Sequence, residues 1–305
     1  MFRMIAASLV ASVCLSQAAV AQDRTRLGYG RLVTNDFFGD GADRWRTGSI
    51  QSSRVWGPAW TGVAPAGFGQ LLELRLGGEI VAPDDIRNLA ADDRAYAGAL
   101  SVGLHTHFRR GQTEFAVGGD VVFVGPQTKL DAFQDALHDL LNVTRPSDAV
   151  RGAQIGNAIN PTAVVEIGQS FALGERATVR PFVEGRLGNE TLARIGFDLT
   201  FGDLGRGELL VRDSVTGQRY RAVEADWSGY SFVLGADIAA VSDSEFLPEG
   251  GSVALRDSRE RVRAGLTWRS ETGITAFYGL TYLGEEFEGQ NEGQLVGSVR
   301  LRVPF

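Results

Sequence analysis

Few residues of this chain are equipped for chemistry. The histidines are His105, His107 and His138, and the only cysteine is Cys14. Histidine is the usual general base near neutral pH. His138 stands in "KLDAFQDALHDLLN", where Leu130, Phe133, Leu137 and Leu140 form one helical stripe and Gln134 and His138, four apart, share a face. A histidine so placed is either a base or an ordinary surface residue. A second concentration lies in "VTNDFFGDGADRWRTGSI", which packs Asn35, Asp36, Asp43, Arg44 and Thr47 into one strand connection, where Asn or Asp with Gly would suffice. A third, "APDDIRNLAADDRAYAG", carries Asp84, Asp85, Asp92, Asp93 and Arg94. Bunched carboxylates either hold a divalent cation such as calcium or are solvated loop charge. His105 and His107 have the i, i+2 spacing of some metal sites, but they sit far down their strand from the other groups, which favours a structural role.

Composition removes several alternatives. "MFRMIAASLVASVCLSQAAVA" has an early arginine, an apolar run and an Ala-x-Ala end, the pattern of a secretory signal over residues 1–21. Cys14 leaves with it, so residues 22–305 contain no thiol for a disulfide, a nucleophile or a zinc-thiolate site. A net charge of −7 argues against nucleic acid as a partner. All but one of the 30 Lys and Arg residues are arginine, a bias that either phosphate recognition or codon usage explains.

The elements that must position these residues are strands. In "RVRAGLTWRS", Val262, Ala264, Leu266 and Trp268 alternate with Arg261, Arg263, Thr267 and Arg269. In "VRPFVEGRLG", Val179, Val183 and Leu187 oppose Arg180, Glu184 and Arg186. Charges along every inner face are costly in a dry sandwich core and tolerable in a wet lumen. Strands are expected near 25–34, 43–54, 68–80, 95–108, 111–124, 163–172, 177–189, 192–202, 228–242, 259–270, 272–283 and 294–304. That makes an all-β, twelve-stranded antiparallel transmembrane barrel in one domain, residues 22–305. The stretch 203–227 fits the count poorly, as a hairpin of its own or an extension of the ninth strand. The last strand ends on Phe305, resembling the signal by which outer-membrane proteins engage the barrel-assembly machinery.

Barrels of this class have short periplasmic turns and longer external loops. Here "RRGQ", "LGERA" and "SETG" are short, whereas 81–94, 125–162, 243–258 and 284–293 are long. With both termini periplasmic, the Asn35–Thr47 cluster lies at the outer leaflet, where the lipid is lipopolysaccharide. The third external loop, with its short helix and His138, shares that rim.

An ordered set of motifs then becomes visible: Asn35-Asp36 after the first strand, Asp43-Arg44-x-x-Thr47 opening the second, "DRAYAG" from Asp93 opening the fourth, Gly125-Pro126, Gln134-x-x-x-His138, and Gln154. Together these resemble the outer-membrane lipid A 3-O-deacylase family (LpxR-type). The chain departs from that pattern at Arg46 before Thr47, at Gly48-Ser49 after it, and in "AVRGAQ", which lacks a tryptophan.

The resemblance implies calcium-dependent hydrolysis of the ester bearing the 3′-acyloxyacyl chain of lipid A. His138 would be the base that activates water, Asp36 would hold calcium with Asn35 assisting, and Thr47 would donate to the oxyanion or orient the ester. Asp43, Arg44, Asp93, Arg94, Gln134 and Gln154 would shape the rim around the substrate. The expected partners are lipopolysaccharide and the outer-membrane bilayer. Two other readings stay open: a phospholipase, for which Ser49 is the nearest serine to Thr47, and a passive porin-like or structural barrel.

Overall fold

The computed structural model describes residues 24–88 and 90–304. The expected signal, residues 1–21, and Phe305 lie outside them.

In chain order the strands are β1 (Thr25–Asn35), β2 (Trp45–Gly57), β3 (Leu71–Ala82), β4 (Ala97–Arg110), β5 (Thr113–Val124), β6 (Ala158–Gln169), β7 (Ala177–Leu187), β8 (Glu190–Phe201), β9 (Leu209–Arg212), β10 (Arg219–Val223), β11 (Gly229–Ser244), β12 (Ser258–Arg269), β13 (Thr275–Leu283) and β14 (Gln294–Arg302). The pair Phe171–Ala172 prolongs β6 along β7. All except β9 and β10 form one antiparallel sheet, each strand beside its chain neighbour, with β8 against β11 and β14 back on β1. The sheet is therefore a closed twelve-stranded barrel. No helix among the described residues is long and apolar enough to cross a membrane.

The alternation in the sequence is what closes it. Along β12, Arg261 and Arg263 are buried inward while Val262, Leu266 and Trp268 are exposed outward. The inside-out burial is that of a barrel with a polar lumen and an apolar outer belt.

The segment 202–228 resolves into the first of its two readings, a separate hairpin of β9 and β10. It folds back into the lumen. Tyr220 Oη lies 2.6 Å from Ser53 Oγ on β2, Arg212 pairs with Glu166 on β6 and Asp198 on β8, and Gln218 Nε2 donates to the Ala264 carbonyl on β12. Its apolar side forms a small core with Leu32, Val55 and Leu71. Gly28 makes the close approach possible, since a Cβ there would stand 2.2 Å from the Ala222 carbonyl oxygen.

Connection length does not separate the two mouths as cleanly as expected. One mouth carries 36–44, 83–96, 125–157, 245–257 and 284–293, but also the two-residue turn 188–189. The other carries the short turns 111–112, 173–176 and 270–274, together with 58–70 and the hairpin-bearing 202–228. A long connection on the turn side is accommodated because it fills the lumen.

The closing seam is asymmetric. β1 pairs with β2 along its whole length, from Thr25 to Asn35, yet with β14 only at Val33, Thr34 and Asn35. Below that point the gap is bridged through the hairpin: Arg300 and Arg302 of β14 both reach Glu224, which follows β10, while β10 packs on Leu32 and Gly28 of β1 and Arg302 lies over the Tyr29 ring.

Candidate functional site

The site forms where the first turn meets the helix of the 125–157 connection, α1 (Leu130–Leu141). The turn is built by its own polar side chains. Asn35 caps the short helical turn Asp36–Phe38, its Oδ1 accepting from the Phe37 amide at 2.9 Å, while its Nδ2 donates to the Thr47 carbonyl at 2.7 Å. Asp36 is buried, and its Oδ2 accepts from the Arg44 amide at 3.0 Å. Asp43 and Trp45 hold φ of 53° and 49°, left-handed conformations that cost non-glycine residues of order 1–3 kcal/mol each.

A bulge then re-aims β2. Trp45 pairs with Ala82 and Gly48 with Ile80, so β2 has one residue more than β3 over that interval. Arg46 remains in the lumen on Glu79, Glu190 and Glu286. Thr47 instead joins the rim cluster, its Oγ1 donating to Asp43 Oδ1 at 2.8 Å.

α1 packs on the outer surface of the wall, not over the lumen. Leu100 is exposed on the lipid-facing side of β4, so Gly98, two residues earlier, faces the same way. A Cβ on Gly98 would come within 2.8 Å of Leu130 Cβ and of Thr128 Oγ1. The helix is inverted relative to a surface helix of a soluble protein. Its polar residues Gln134 and His138 are buried, while Phe133, Leu137, Leu140 and Leu141 are exposed, Leu140 at 80%. Phe37, exposed at 77%, extends this apolar surface from the first turn.

The buried face of α1 carries the chemistry. Gln134 Oε1 accepts from Tyr96 Oη at 2.8 Å, and its Nε2 lies 3.5 Å from Asp43 Oδ1. His138 Nδ1 lies 2.5 Å from the Thr144 carbonyl and 3.7 Å from Asp43 Oδ2. The carbonyl is delivered by Asn142, whose left-handed conformation ends the helix and turns the chain back. Two acceptors flank Nδ1, so in the neutral ring that nitrogen carries the proton and the Nε2 lone pair is the basic one.

Two acids meet in this turn. Burial, and after it the neighbouring charge of Asp43, push the Asp36 carboxyl up to about 7, with the Arg44 amide and Thr47 hydroxyl acting the other way. No group of three or more His, Cys, Asp or Glu side chains among the described residues is placed to hold a metal ion. Of the three acids in the turn, Asp40 spends its two oxygens on the Ala42 and Leu295 amides, so a cation there would draw on Asp36 and Asp43 with carbonyl, amide or water oxygens besides.

The other rim residues have separate duties. Arg44 clamps neighbouring connections, pairing with Asp84 at 3.0 Å and Glu292 at 2.8 Å, and stacks over Trp45. Asp93 accepts from its neighbours' amides at Asp84 and Arg94. Arg94 is buried at the lumen end on Glu286, at 2.5 Å. Gln154 donates to the Arg151 carbonyl, within its own loop. Ser49 lines an internal lumen cavity of about 70 Å³ with Arg46 and Glu79, on the opposite face of the wall from α1. His105 pairs with Asp120 at 2.9 Å and His107 with Glu73 at 2.7 Å, each on its own carboxylate in the lumen.

The sequence reading ranked Asp36 first among the acids; the structure sets Asp43 against His138. It also passed over Tyr96, which lies inside the quoted "DRAYAG", and the Thr144 carbonyl. Tyr96 is readable in retrospect, since it immediately precedes β4 and keeps the two-residue phase of Gly98, which faces α1. The Thr144 carbonyl carries no side-chain signal at all.

The structure of "LpxR from Salmonella typhimurium" superposes with a TM-score of 0.74 at 16% identity, over 90% of this chain and 98% of that one. The KdgM porin in complex with disordered oligogalacturonate gives 0.39 at 5% identity (91% and 99% covered), and the NanC porin 0.41 at 7% (91% and 100%). No curated protein sequence matches the chain. The family model described as outer membrane protein LpxR matches residues 5–305, and the chain belongs to that family.

Proposed function

We propose that this barrel is a lipid A deacylase that hydrolyses the ester of the 3′-acyloxyacyl chain in the outer leaflet, with His138 as general base. The observation that supports it best is the His138–Asp43 contact on the lipid-facing side of the wall, bordered by the exposed apolar residues of α1 and Phe37. An ester-bearing lipid reaches that position from the plane of the leaflet.

In this reading, Nε2 of His138 takes a proton from water as the water oxygen bonds to the ester carbonyl carbon. Asp43 and the Thr144 carbonyl keep Nδ1–H in place and stabilise the imidazolium that forms. The tetrahedral intermediate collapses with cleavage of the bond to the sugar-side oxygen, which takes the proton back from Nε2. Thr47 and Gln134 hold Asp43, and Tyr96 holds Gln134. No covalent acyl-enzyme is required.

Calcium fits the donor chemistry of the first turn: two adjacent carboxylates, one buried and raised to about 7, are an environment that a hard cation relieves. Asp36 and Asp43 would hold it, and when bound it supplies positive charge for the developing oxyanion. Because a proton competes for Asp36 below about pH 7, calcium should raise the unfolding temperature more at pH 8 than at pH 5. Asp36→Asn should abolish that difference. Equal stabilisation at both pH values in the wild type would refute the assignment.

The helix placement gives another expected outcome. Gly98→Ala should drive Leu130 away and carry Gln134 and His138 with it, lowering turnover by about tenfold or more while the barrel still assembles. Unchanged turnover in that variant would show that α1 is not held by this contact.

The phospholipase reading has no serine–histidine pair to support it, since Ser49 opens to the lumen cavity and His138 lies outside the wall. A passive pore is disfavoured by the hairpin and ion pairs that cross the lumen. Mass spectrometry of lipid A and glycerophospholipids from a host expressing the chain, with and without a calcium chelator, tests all three. Loss of one acyl chain from lipid A alone, blocked by the chelator, is the expected result. An unchanged lipid A would overturn the proposal.

A further inference from the structure

A second chamber lies inside the lumen near the turn mouth, away from the site on the outer wall. Its volume is about 290 Å³, between the β9–β10 hairpin and the wall strands β4–β8. The 58–70 connection closes it, with Trp60 Nε1 donating to the Gly207 carbonyl at 2.8 Å.

The chamber wall is crowded with guanidinium groups, and their partners can be followed one by one. Arg180 uses Glu114 at 2.7 Å and Glu166 at 2.8 Å. Arg212 uses Glu166 at 2.7 Å and Asp198 at 2.8 Å, and Asp198 is shared again with Arg263. Arg219 is the cross-strand neighbour of Arg212 on the hairpin. It lines the same chamber, and none of the ion pairs among the described residues includes it. Arg109, also on the lining, donates only to a backbone carbonyl, that of Gly111 at 3.0 Å. Like charges directly opposite on a two-stranded ribbon repel. The carboxylates of the lining are already taken: Glu114 and Glu166 by Arg180 and Arg212, Glu184 by Arg186 and Arg194, and Glu208 by Arg221.

We infer that this chamber is a binding site for a small oxyanion of the phosphate or sulfate class, with Arg219 as its principal ligand. The planar fork of arginine suits a tetrahedral oxyanion, and the chamber is large enough to admit one with part of its hydration. The site is independent of the deacylase reading.

The test is calorimetric titration of sodium phosphate and sodium sulfate into the purified, folded full chain in detergent without calcium, against sodium chloride at equal ionic strength. A saturable site for the oxyanions and none for chloride is expected. Arg219→Met should weaken it at least about tenfold, the loss of a charge-assisted hydrogen bond, and Arg219→Lys should restore part of the affinity. If Arg219→Met fails to fold, Arg219→Lys and a phosphate-dependent rise in the wild-type unfolding temperature decide the question. Absence of saturable binding in the wild type, or affinity unchanged in either Arg219 variant, would overturn the inference.

Discussion

Replacing His138 by alanine should lower ester hydrolysis by about 10²–10⁴-fold, the range of a lost general base, and leave the barrel intact. The side chain sits on the outer surface of the wall and makes no contact with the lumen network, so its removal takes away two rim contacts, those to the Thr144 carbonyl and to Asp43. His138→Gln should be as inactive as His138→Ala, because an amide of similar reach cannot accept and return a proton. Asp43→Asn is the companion measurement. It removes the charge beside Nδ1 while retaining a group that can meet Thr47 and Gln134. Turnover should fall with little change in apparent substrate affinity, the signature of an interaction made in the transition state. If His138→Ala retains full activity on lipid A, the base is elsewhere and the mechanism falls, although the family membership stands.

The second large effect is on stability and comes from the lumen. Glu286 serves three arginines at once: Arg46 at 2.9 Å, Arg94 at 2.5 Å and Arg259 at 3.4 Å. Arg46 and Arg259 also hold Glu190, at 3.0 and 2.5 Å, but Arg94 has no second carboxylate among the described ion pairs. Glu286→Gln therefore strands a buried charge, which costs roughly 3–5 kcal/mol. Urea unfolding of the barrel in lipid vesicles should register the loss. The double variant Glu286→Gln, Arg94→Met should recover part of it, since it removes the stranded charge as well. Failure of any recovery would mean that Arg94 is not the group left uncompensated.

The same carboxylate fixes an acid limit. Burial pushes its pKa up, but Arg259, Arg46 and Arg94 outweigh that and hold it well below the usual 4.5. With the folded value depressed, the stabilisation is complete above about pH 4.5 and is lost as pH falls through the acid range.

The barrel was legible because alternation is a period-two signal that every wall strand repeats, and lumen charges such as Arg261 and Arg263 mark the inner face unambiguously. The hairpin was legible only as one of two readings of its segment. Its strands, Leu209–Arg212 and Arg219–Val223, are too short for alternation to tell a separate hairpin from an extension of the neighbouring wall strand, and their apolar side turns inward onto Leu32, Val55 and Leu71. The stripe on α1 showed that the helix has two faces, but periodicity cannot say which is covered, and beside a membrane the usual answer is reversed. Asp43 was found as a rim residue without its role, because a φ of 53° and the bulge at Arg46–Thr47 decide where the acid and the threonine point. Neither leaves a trace in residue spacing. Arg94 read as a rim cation because its partner, Glu286, is supplied by a connection almost two hundred positions away.

The short zip between the first and last strands makes the cylinder mechanically anisotropic. Held by backbone ladder at only three positions of β1, it should part there before any other pair of staves, with Glu224 acting as a rivet through Arg300 and Arg302. Deuterium uptake by the amides of lower β1 that point toward β14 would then run ahead of the rest of the wall, and cutting the rivet with Glu224→Gln would hasten it further. The plugging hairpin is thus also a brace across the weakest joint.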